Sequence, residues 1–439
     1  MRRRNTRREF LKTTTAAGLG FWIADRAGAT ESKSPNEKLN VACIGIGGRG
    51  RDNVNAVSGE NIVALCDVDD ARAGDAYKSY PKAQKFTDYR RLFDKLHKQI
   101  DAVTVSTPDH MHAPVSLAAM QLGKHVYCEK PLTRTVGEAR RMAEAAARYR
   151  VVTQMGNGGN ANPGARRTVE MLRAGVVGAI REIHAWSDRP GTIWKQGIDR
   201  PKDTPPVPPT LQWDLWLGVA PKRPYHPAYI PGKWRGWYDF GTGPIGDMGA
   251  HICNVAFWAL DLRDPQAIEC ETSERHAESF PAWSRIRWEF PARGDRPAIR
   301  FHWYDGGQRP SNELVEGRSL PGNGMILVGE KGSMYIPSAD GSECVLLPEK
   351  KFEGMAPPPK TLPDSPGHHQ EWIRNCKSGD LGLDYMSHFG RAAIMTECLL
   401  LGVLAVRTGK RIEWDARAMK VTNVAEANEY VDPPYRQGW

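Results

Sequence analysis

The sequence predicts an α/β protein in two parts, a parallel sheet covered by helices and then an α/β domain built on an open, largely antiparallel sheet. Three observations carry that expectation. From residue 38 to 155 short apolar runs alternate with helical segments, the rhythm of parallel strands joined by helical crossovers. The first of these runs ends in a G-x-G-x-x-G at Gly45, Gly47 and Gly50. Far downstream the pattern changes. Ile286, Trp288 and Phe290 alternate with Arg285, Arg287 and Glu289, and Ile299, Phe301 and Trp303 alternate with Arg300 and His302. Such alternation marks strands with one covered and one polar face, as in antiparallel sheets.

A chain of 439 residues, 40% hydrophobic and 25% charged, has the length for two domains and too much apolar content for wholesale disorder. Its net charge is +9, but residues 1–29 supply +5 of that and leave a mild +4 on the rest. No basic run in the body offers nucleic acid a footing. The eight cysteines (43, 66, 128, 253, 270, 344, 376 and 398) form no C-x-x-C pair, so a cysteine metal site finds no support. Cys43, Cys66 and Cys128 stand in apolar runs and read as buried thiols.

The first 29 residues read as an address. Thr6-Arg7-Arg8-Glu9-Phe10-Leu11-Lys12 resembles the twin-arginine export motif, and an apolar segment, 13–24, follows. That segment is too short and too rich in Thr and Gly to span a bilayer. Ala27-Gly28-Ala29 suits a signal peptidase. A basic tail without an address is the bland alternative. The expectation is passage through the twin-arginine machinery, cleavage near Ala29, a linker at 30–37 and a periplasmic mature chain.

Candidate strands in the first domain, 38–155, are 39–44, 61–66, 84–87, 101–106, 124–128 and 151–155. Continuous apolar runs such as Ile62-Val63-Ala64-Leu65 suit strands buried on both faces. Glycines at 45, 47 and 50 allow a tight turn, close approach to a pyrophosphate, and helix-on-strand packing. The following helix N-terminus offers free N–H groups to phosphate. A turn that simply needs glycine is the competing reading. Asp67 ends the second run, 22 residues after Gly45. A carboxylate there accepts ribose hydroxyls and repels a 2′-phosphate, which favours NAD over NADP. Asp69 is a second candidate, and either acid also suits a helix cap. Strand, glycine loop, helix, strand and acid in that order predict a Rossmann dinucleotide site.

Two later strand ends matter, because ligands of such sheets bind at the carboxyl edge. The fourth gives Thr107-Pro108-Asp109-His110-Met111-His112 and the fifth Glu129-Lys130-Pro131. Pro131 keeps Lys130 extended at that edge, where its ammonium can hydrogen-bond a reacting oxygen. A solvated loop lysine is the plain alternative.

The second domain, 156–439, opens with a helix near 163–174 and a strand near 180–186. Residues 187–246 are rich in Pro, Gly and aromatics, among them Trp194, Trp213, Trp216, Tyr225, Tyr229, Trp234, Trp237 and Tyr238. A loop this long is usually functional or disordered, and so many tryptophans argue for order. Most of them pack the loop down; one or two are expected to meet substrate. Asp247 and His251 then stand four apart at the start of a helix with an apolar stripe of Ile252, Val255, Ala256, Ala259 and Leu260. Asp247 as a helix cap, the two as metal ligands, or a base with its orienting carboxylate are the readings open at this point. A Pro- and Lys-rich loop covers 349–366, His368 and His369 open a short helix without evident role, and a longer helix spans 389–407 before Gly409 and Lys410.

GIGGRG, STPDHMH, CEKPLT and GDMGAH occur in that order, and together they resemble the Gfo/Idh/MocA oxidoreductases over most of the mature chain. The resemblance implies a Rossmann domain, a second domain whose open sheet mediates homo-oligomer contacts, and NAD(P) chemistry on sugars and cyclitols. Carried onto this chain, it implies cofactor contacts from Gly45, Ile46, Gly47, Gly48, Arg49 and Gly50, from Asp67, and from Thr107, Pro108, His112, Glu129 and Lys130. It places Lys130, Asp247 and His251 in catalysis, with Asp247 orienting His251; Arg235, for substrate oxygens, and Trp237 and Tyr238, for the faces of a sugar ring, are read from residue type as further substrate contacts beside Lys130 and His251. No metal is implied. One departure is Asp109, where many members carry Asn. The expectation is an exported NAD(P)-dependent oxidoreductase acting on the CH–OH or carbonyl group of a small carbohydrate, with NAD held tightly through export. A glycoside hydrolase or lyase that oxidises its sugar transiently is the alternative, and a non-catalytic sugar-binding protein a weaker one.

Overall fold

The computed structural model describes residues 37–439. The expected signal peptide, 1–29, and residues 30–36 of the linker lie outside them.

Six strands form the first sheet: β1 (Asn40–Ile44), β2 (Asn61–Cys66), β3 (Gln84–Phe86), β4 (Ala102–Val105), β5 (His125–Cys128) and β6 (Thr153–Met155). Their order is β3-β2-β1-β4-β5-β6 and every pairing is parallel. Each expected strand is present, trimmed by a residue or two at some ends. In β1, Ala42 and Ile44 enter one apolar cluster while Val41 and Cys43 enter another on the opposite face. Burial on both faces is why this run shows no alternation. Helices α1 (Arg49–Ala56), α2 (Asp70–Ser79), α3 (Tyr89–Leu96), α4 (His112–Gln121) and α5 (Val136–Tyr149) make the crossovers. Local chemistry sets several starts. Asp69 caps α2, Asp88 caps α3, and Thr135 with Glu138 forms a capping box on α5. The chain leaves β1 toward β2 on one side and reaches β4 on the other, which opens a crevice at the carboxyl edge between them.

The second part begins with α6 (Pro163–Arg173) and β7 (Ile180–Ser187), followed by α7 (Gly243–Ile252) and α8 (Asn254–Leu260). Strands β8 (Ala267–Thr272), β9 (Ser284–Phe290), β10 (Ile299–Asp305), β11 (Asn323–Gly329), β12 (Gly332–Ile336) and β13 (Val345–Leu347) follow. Then come α9 (His368–Ser378), α10 (Phe389–Thr408), β14 (Ile412–Asp415) and β15 (Lys420–Val421). The sheet runs β13-β12-β11-β7-β10-β9-β8-β14-β15, and within it only β7 and β10 pair in parallel. Ile286, Trp288, Phe301 and Trp303 sit in the main core, where the Trp288 indole N–H donates to the Cys398 carbonyl of α10 at 2.8 Å. The alternate residues face away from these helices. By length and composition α10 matches a bilayer-spanning helix, yet 78% of its apolar window is buried inside the protein.

One boundary differs from expectation. The helix carrying Asp247 starts at Gly243, with Pro244 in its first turn, and breaks at Cys253 before α8. Proline suits the first turn because its missing N–H is not needed there. Asp247 thus lies in the body of α7, where no free backbone N–H awaits a cap, and the capping role is corrected. All eight cysteines are unpaired.

Candidate active site

A cavity of about 590 Å³ runs from the glycine loop, past the ends of β4 and β5, to α7, a size typical of small-molecule sites. At its first end Gly45 has φ +75° and a side chain there would lie 2.7 Å from the Ser106 carbonyl. A Cβ on Gly50 would fall 1.8 Å from the Gly45 oxygen. The spacing therefore serves the turn and the seat of α1 on β1. No side chain caps α1 at Gly48, so its N-terminal dipole and N–H groups are left to a ligand.

Asp67 organises this loop from beneath. Its Oδ2 accepts the N–H groups of Ile46 (2.8 Å) and Gly47 (3.1 Å), and its Oδ1 accepts that of Asp69 (3.0 Å). Burial pushes its pKa above the usual carboxylate value, against the pull of those three donors. Three of roughly four acceptor positions are used, which leaves Oδ1 one toward the cavity. Asp69 and Arg72 line the same end. Further along, Thr107 lines the same cavity, and its buried hydroxyl has no protein partner.

Lys130, Arg235, Asp247 and His251 converge at the far end. Asp247 Oδ1 accepts from Lys130 Nζ at 2.6 Å and from Arg235 Nε at 2.9 Å, and Lys130 also donates to the Asp247 carbonyl at 3.0 Å. Burial would raise the Asp247 pKa, but the two cations outweigh it and hold the carboxyl well below the ordinary range. An ammonium has three donors, so one on Lys130 remains for a ligand. His251 makes no side-chain hydrogen bond among the described residues. Burial, reinforced by the Lys130 charge, pushes its pKa down to about 3, so the imidazole is neutral. Asp247 Oδ1 thus holds the two cations, and among the described residues no hydrogen bond joins Asp247 to His251, so the expected orienting contact is not made. Two cations beside that oxygen also disfavour a metal ion there.

Glu129 accepts from Arg49 Nε (3.0 Å) and Asn53 Nδ2 (2.8 Å). Asn53 in turn meets His369 Nε2 at 3.0 Å, and that ring stacks on Tyr127 at 4.5 Å. His369, read as featureless in sequence, thus braces the Glu129 side of the cavity. His112 has Nδ1 2.7 Å from the Pro131 carbonyl and Nε2 2.8 Å from that of Thr107. Two acceptors require two N–H groups. Burial opposes that charge, but Cys128, Asp109 and the Pro131 carbonyl outweigh it and raise the pKa to about 10. His112 is a staple between two loops.

Gly45, Gly47, Arg49, Asp67, Thr107, Pro108, His112, Glu129 and Lys130 all line the cavity. Ile46, Gly48 and Gly50 do not, and the Ile46 side chain is in the core. Trp237 and Tyr238 are corrected outright. Trp237 packs against Tyr229 and donates to the Ala228 carbonyl, and Tyr238 packs on Phe280 beneath Arg407. A short turn, Lys233–Gly236, aims Trp234 and Arg235 inward and spends the next residues on the core. Trp216, Trp234 and Trp439 are the tryptophans on the cavity wall. Asp109 is buried, accepts from Thr242 Oγ1 at 2.8 Å, and is lifted by burial to a pKa of about 6.

Residues 39–157 match the oxidoreductase family profile with an NAD-binding Rossmann fold, and residues 168–296 match the C-terminal α/β domain of the same family. The chain belongs to the Gfo/Idh/MocA oxidoreductases. A glycosyl hydrolase family 109 protein of Solibacter usitatus is 34% identical over 201 residues, 40% of this chain and 44% of that one. An inositol 2-dehydrogenase of Salmonella paratyphi B is 30% identical over 152 residues, 33% and 45% of the two chains. The chain thus spans about half or less of the length of the curated relatives it matches. Among solved structures, the WlbA dehydrogenase of Chromobacterium violaceum, in complex with NADH and UDP-GlcNAcA, has a TM-score of 0.61 at 15% identity. That likeness covers 87% of this chain and 97% of that one. The uncapped helix, the glycine cradle and the unpartnered Thr107 hydroxyl of this Gfo/Idh/MocA oxidoreductase fit a dinucleotide.

Proposed function

We propose that the chain is an NAD-dependent oxidoreductase acting on a hydroxyl carbon, or the matching carbonyl, of a sugar, glycoside or cyclitol. The observation that carries this reading is one end of the cavity, where a Lys130 ammonium with a spare donor and a neutral His251 meet opposite the glycine loop. His251 accepts the hydroxyl proton as general base. Lys130 donates to the same oxygen and stabilises its growing negative charge. Asp247 holds Lys130 and Arg235 in place, and Arg235 presents its remaining N–H groups to neighbouring substrate oxygens. NAD, when bound, supplies the hydride acceptor.

A panel of sugars and cyclitols followed by nicotinamide absorbance tests this. Lys130→Ala and His251→Ala are each expected to lower kcat/KM by about 100-fold or more; wild-type turnover in both overturns the reading. Asp67 and Asp69 favour NAD, whereas Arg72 lines the same end, so titration with NADH and with NADPH decides the preference. The 6–12 motif supports export to the periplasm, where no soluble NAD pool exists, and the cofactor then travels bound. Purified protein is expected to release stoichiometric nicotinamide nucleotide on denaturation. Assembly through the open sheet into a homo-oligomer accompanies this reading. The Solibacter usitatus relative favours a second one, glycoside cleavage through transient oxidation. Aglycone release without net cofactor reduction would select it.

A further inference from the structure

The parallel pair β7 and β10 carries a cluster outside the cavity. Glu182 and His184 of β7 share a face with His302 of β10, and His184 lies directly opposite His302 in register. Their neighbours Ile183, Ala185, Phe301 and Trp303 enter the main core, so this trio projects from the other side of the sheet. Both imidazole Nε2 atoms are buried, and the one polar group within reach of either among the described residues is the Glu182 carboxylate. They lie 3.1 Å and 3.3 Å from Glu182 Oε1.

We infer that Glu182 Oε1, His184 Nε2 and His302 Nε2 form a binding site for one divalent transition-metal ion of the zinc class. One oxygen and two imidazole nitrogens lie within 4.8 Å of one another. A tetrahedral ion with bonds of about 2.0–2.1 Å has ligand–ligand edges of about 3.3–3.4 Å, close to both spacings from Glu182; the rings of His184 and His302, stacked 9° from parallel, would turn their Nε2 atoms toward each other to close the third edge. The donor set suits zinc-class ions better than calcium or magnesium, which prefer all-oxygen shells. The surroundings orient the ligands. The Tyr304 hydroxyl lies 3.0 Å from His184 Nδ1, which frees Nε2, and Arg300 engages Glu182 Oε2 at 3.0 Å, which frees Oε1. Glu182 and His302 are part-exposed, which gives an ion an entry path and leaves its fourth position to water. The bound ion would tie β7 to β10 at the centre of the sheet.

The test uses untagged full-length protein, stripped with chelator, dialysed, and titrated with ZnCl₂ under calorimetry, with metal content measured per chain. One ion per chain is expected, with a rise in melting temperature on its addition. Glu182→Gln and His302→Gln are each expected to weaken zinc binding at least tenfold and to remove that rise, while NADH binding shows the variants are folded. Co²⁺ is expected to give the intense visible bands of four-coordination. No retained zinc, equal zinc binding by the variants, or the weak bands of six-coordinate Co²⁺ would each overturn the assignment.

Discussion

At the scale of single residues, His251 and Asp109 make opposite use of burial. A buried base loses its proton more readily, and a buried acid holds its proton longer. His251, pushed down to about 3, is already the competent base across the neutral range. The expected kcat/KM profile is flat from pH 8 to pH 5, and an acidic limb with an inflection near the ordinary histidine value would refute the assignment. Asp109 is raised to about 6. Below the unfolded carboxylate pKa both states are protonated and no penalty exists; between there and pH 6 the unfolded chain ionises first, and folding stability falls. The loss is about 3 kcal/mol in order of magnitude. Asp109→Asn keeps the shape and an acceptor for Thr242. Its stability relative to wild type is expected to rise by up to that amount between pH 4 and pH 7.5, measured by chemical denaturation at each pH. A constant difference across that range would show that Asp109 does not titrate as described.

At the scale of elements, the glycine loop and α1 form one unit, because the Gly50 Cα faces the Gly45 carbonyl with no room for a methyl group. Gly50→Ala forces α1 off β1, an overpacking of about 1–3 kcal/mol. Because the displaced helix end also carries the phosphate-facing N–H groups, NADH affinity is expected to fall roughly tenfold or more. Fluorescence titration and thermal melting check the two effects together. The turn at Lys233–Gly236 gives the complementary lesson. It turns the chain once and so splits Trp234 and Arg235 from Trp237 and Tyr238, a division that aromatic content alone does not reveal.

At the scale of the whole molecule, the two sheets share a core instead of abutting. Trp372 and Ile373 of α9 pack in the same cluster as Val41 and Leu65 of the first sheet. The guanidinium of Arg140 on α5 grips both Glu397 oxygens on α10 at 2.7–3.0 Å, and Arg166 pairs with Glu371 in the interior. Residues late in the chain thus complete the burial of strands formed early. Calorimetry of residues 37–439 is expected to show one cooperative transition, and two separated transitions would show that the sheets unfold independently.

What the sequence determined by itself was local or periodic. Apolar runs announced β1, β2, β4 and β5, alternation announced β9 and β10, and the spacing of Gly45, Gly47 and Gly50 announced a tight turn on a helix. These signals are legible because backbone geometry and two-sided or one-sided burial act within a few residues. The family motifs likewise brought Lys130, Asp247 and His251 to attention before any coordinates. Only the tertiary structure decided how they connect. Asp247 serves Lys130 and Arg235 instead of His251, His369 braces Asn53 from 316 residues away and through it Glu129, and Trp234 replaces Trp237 at the cavity. The reason is that hydrogen bonds and ion pairs are formed by distance in space. A carboxylate four residues from a histidine goes to whichever partner the packing of distant segments brings closest, and here that partner is a lysine just past the end of β5.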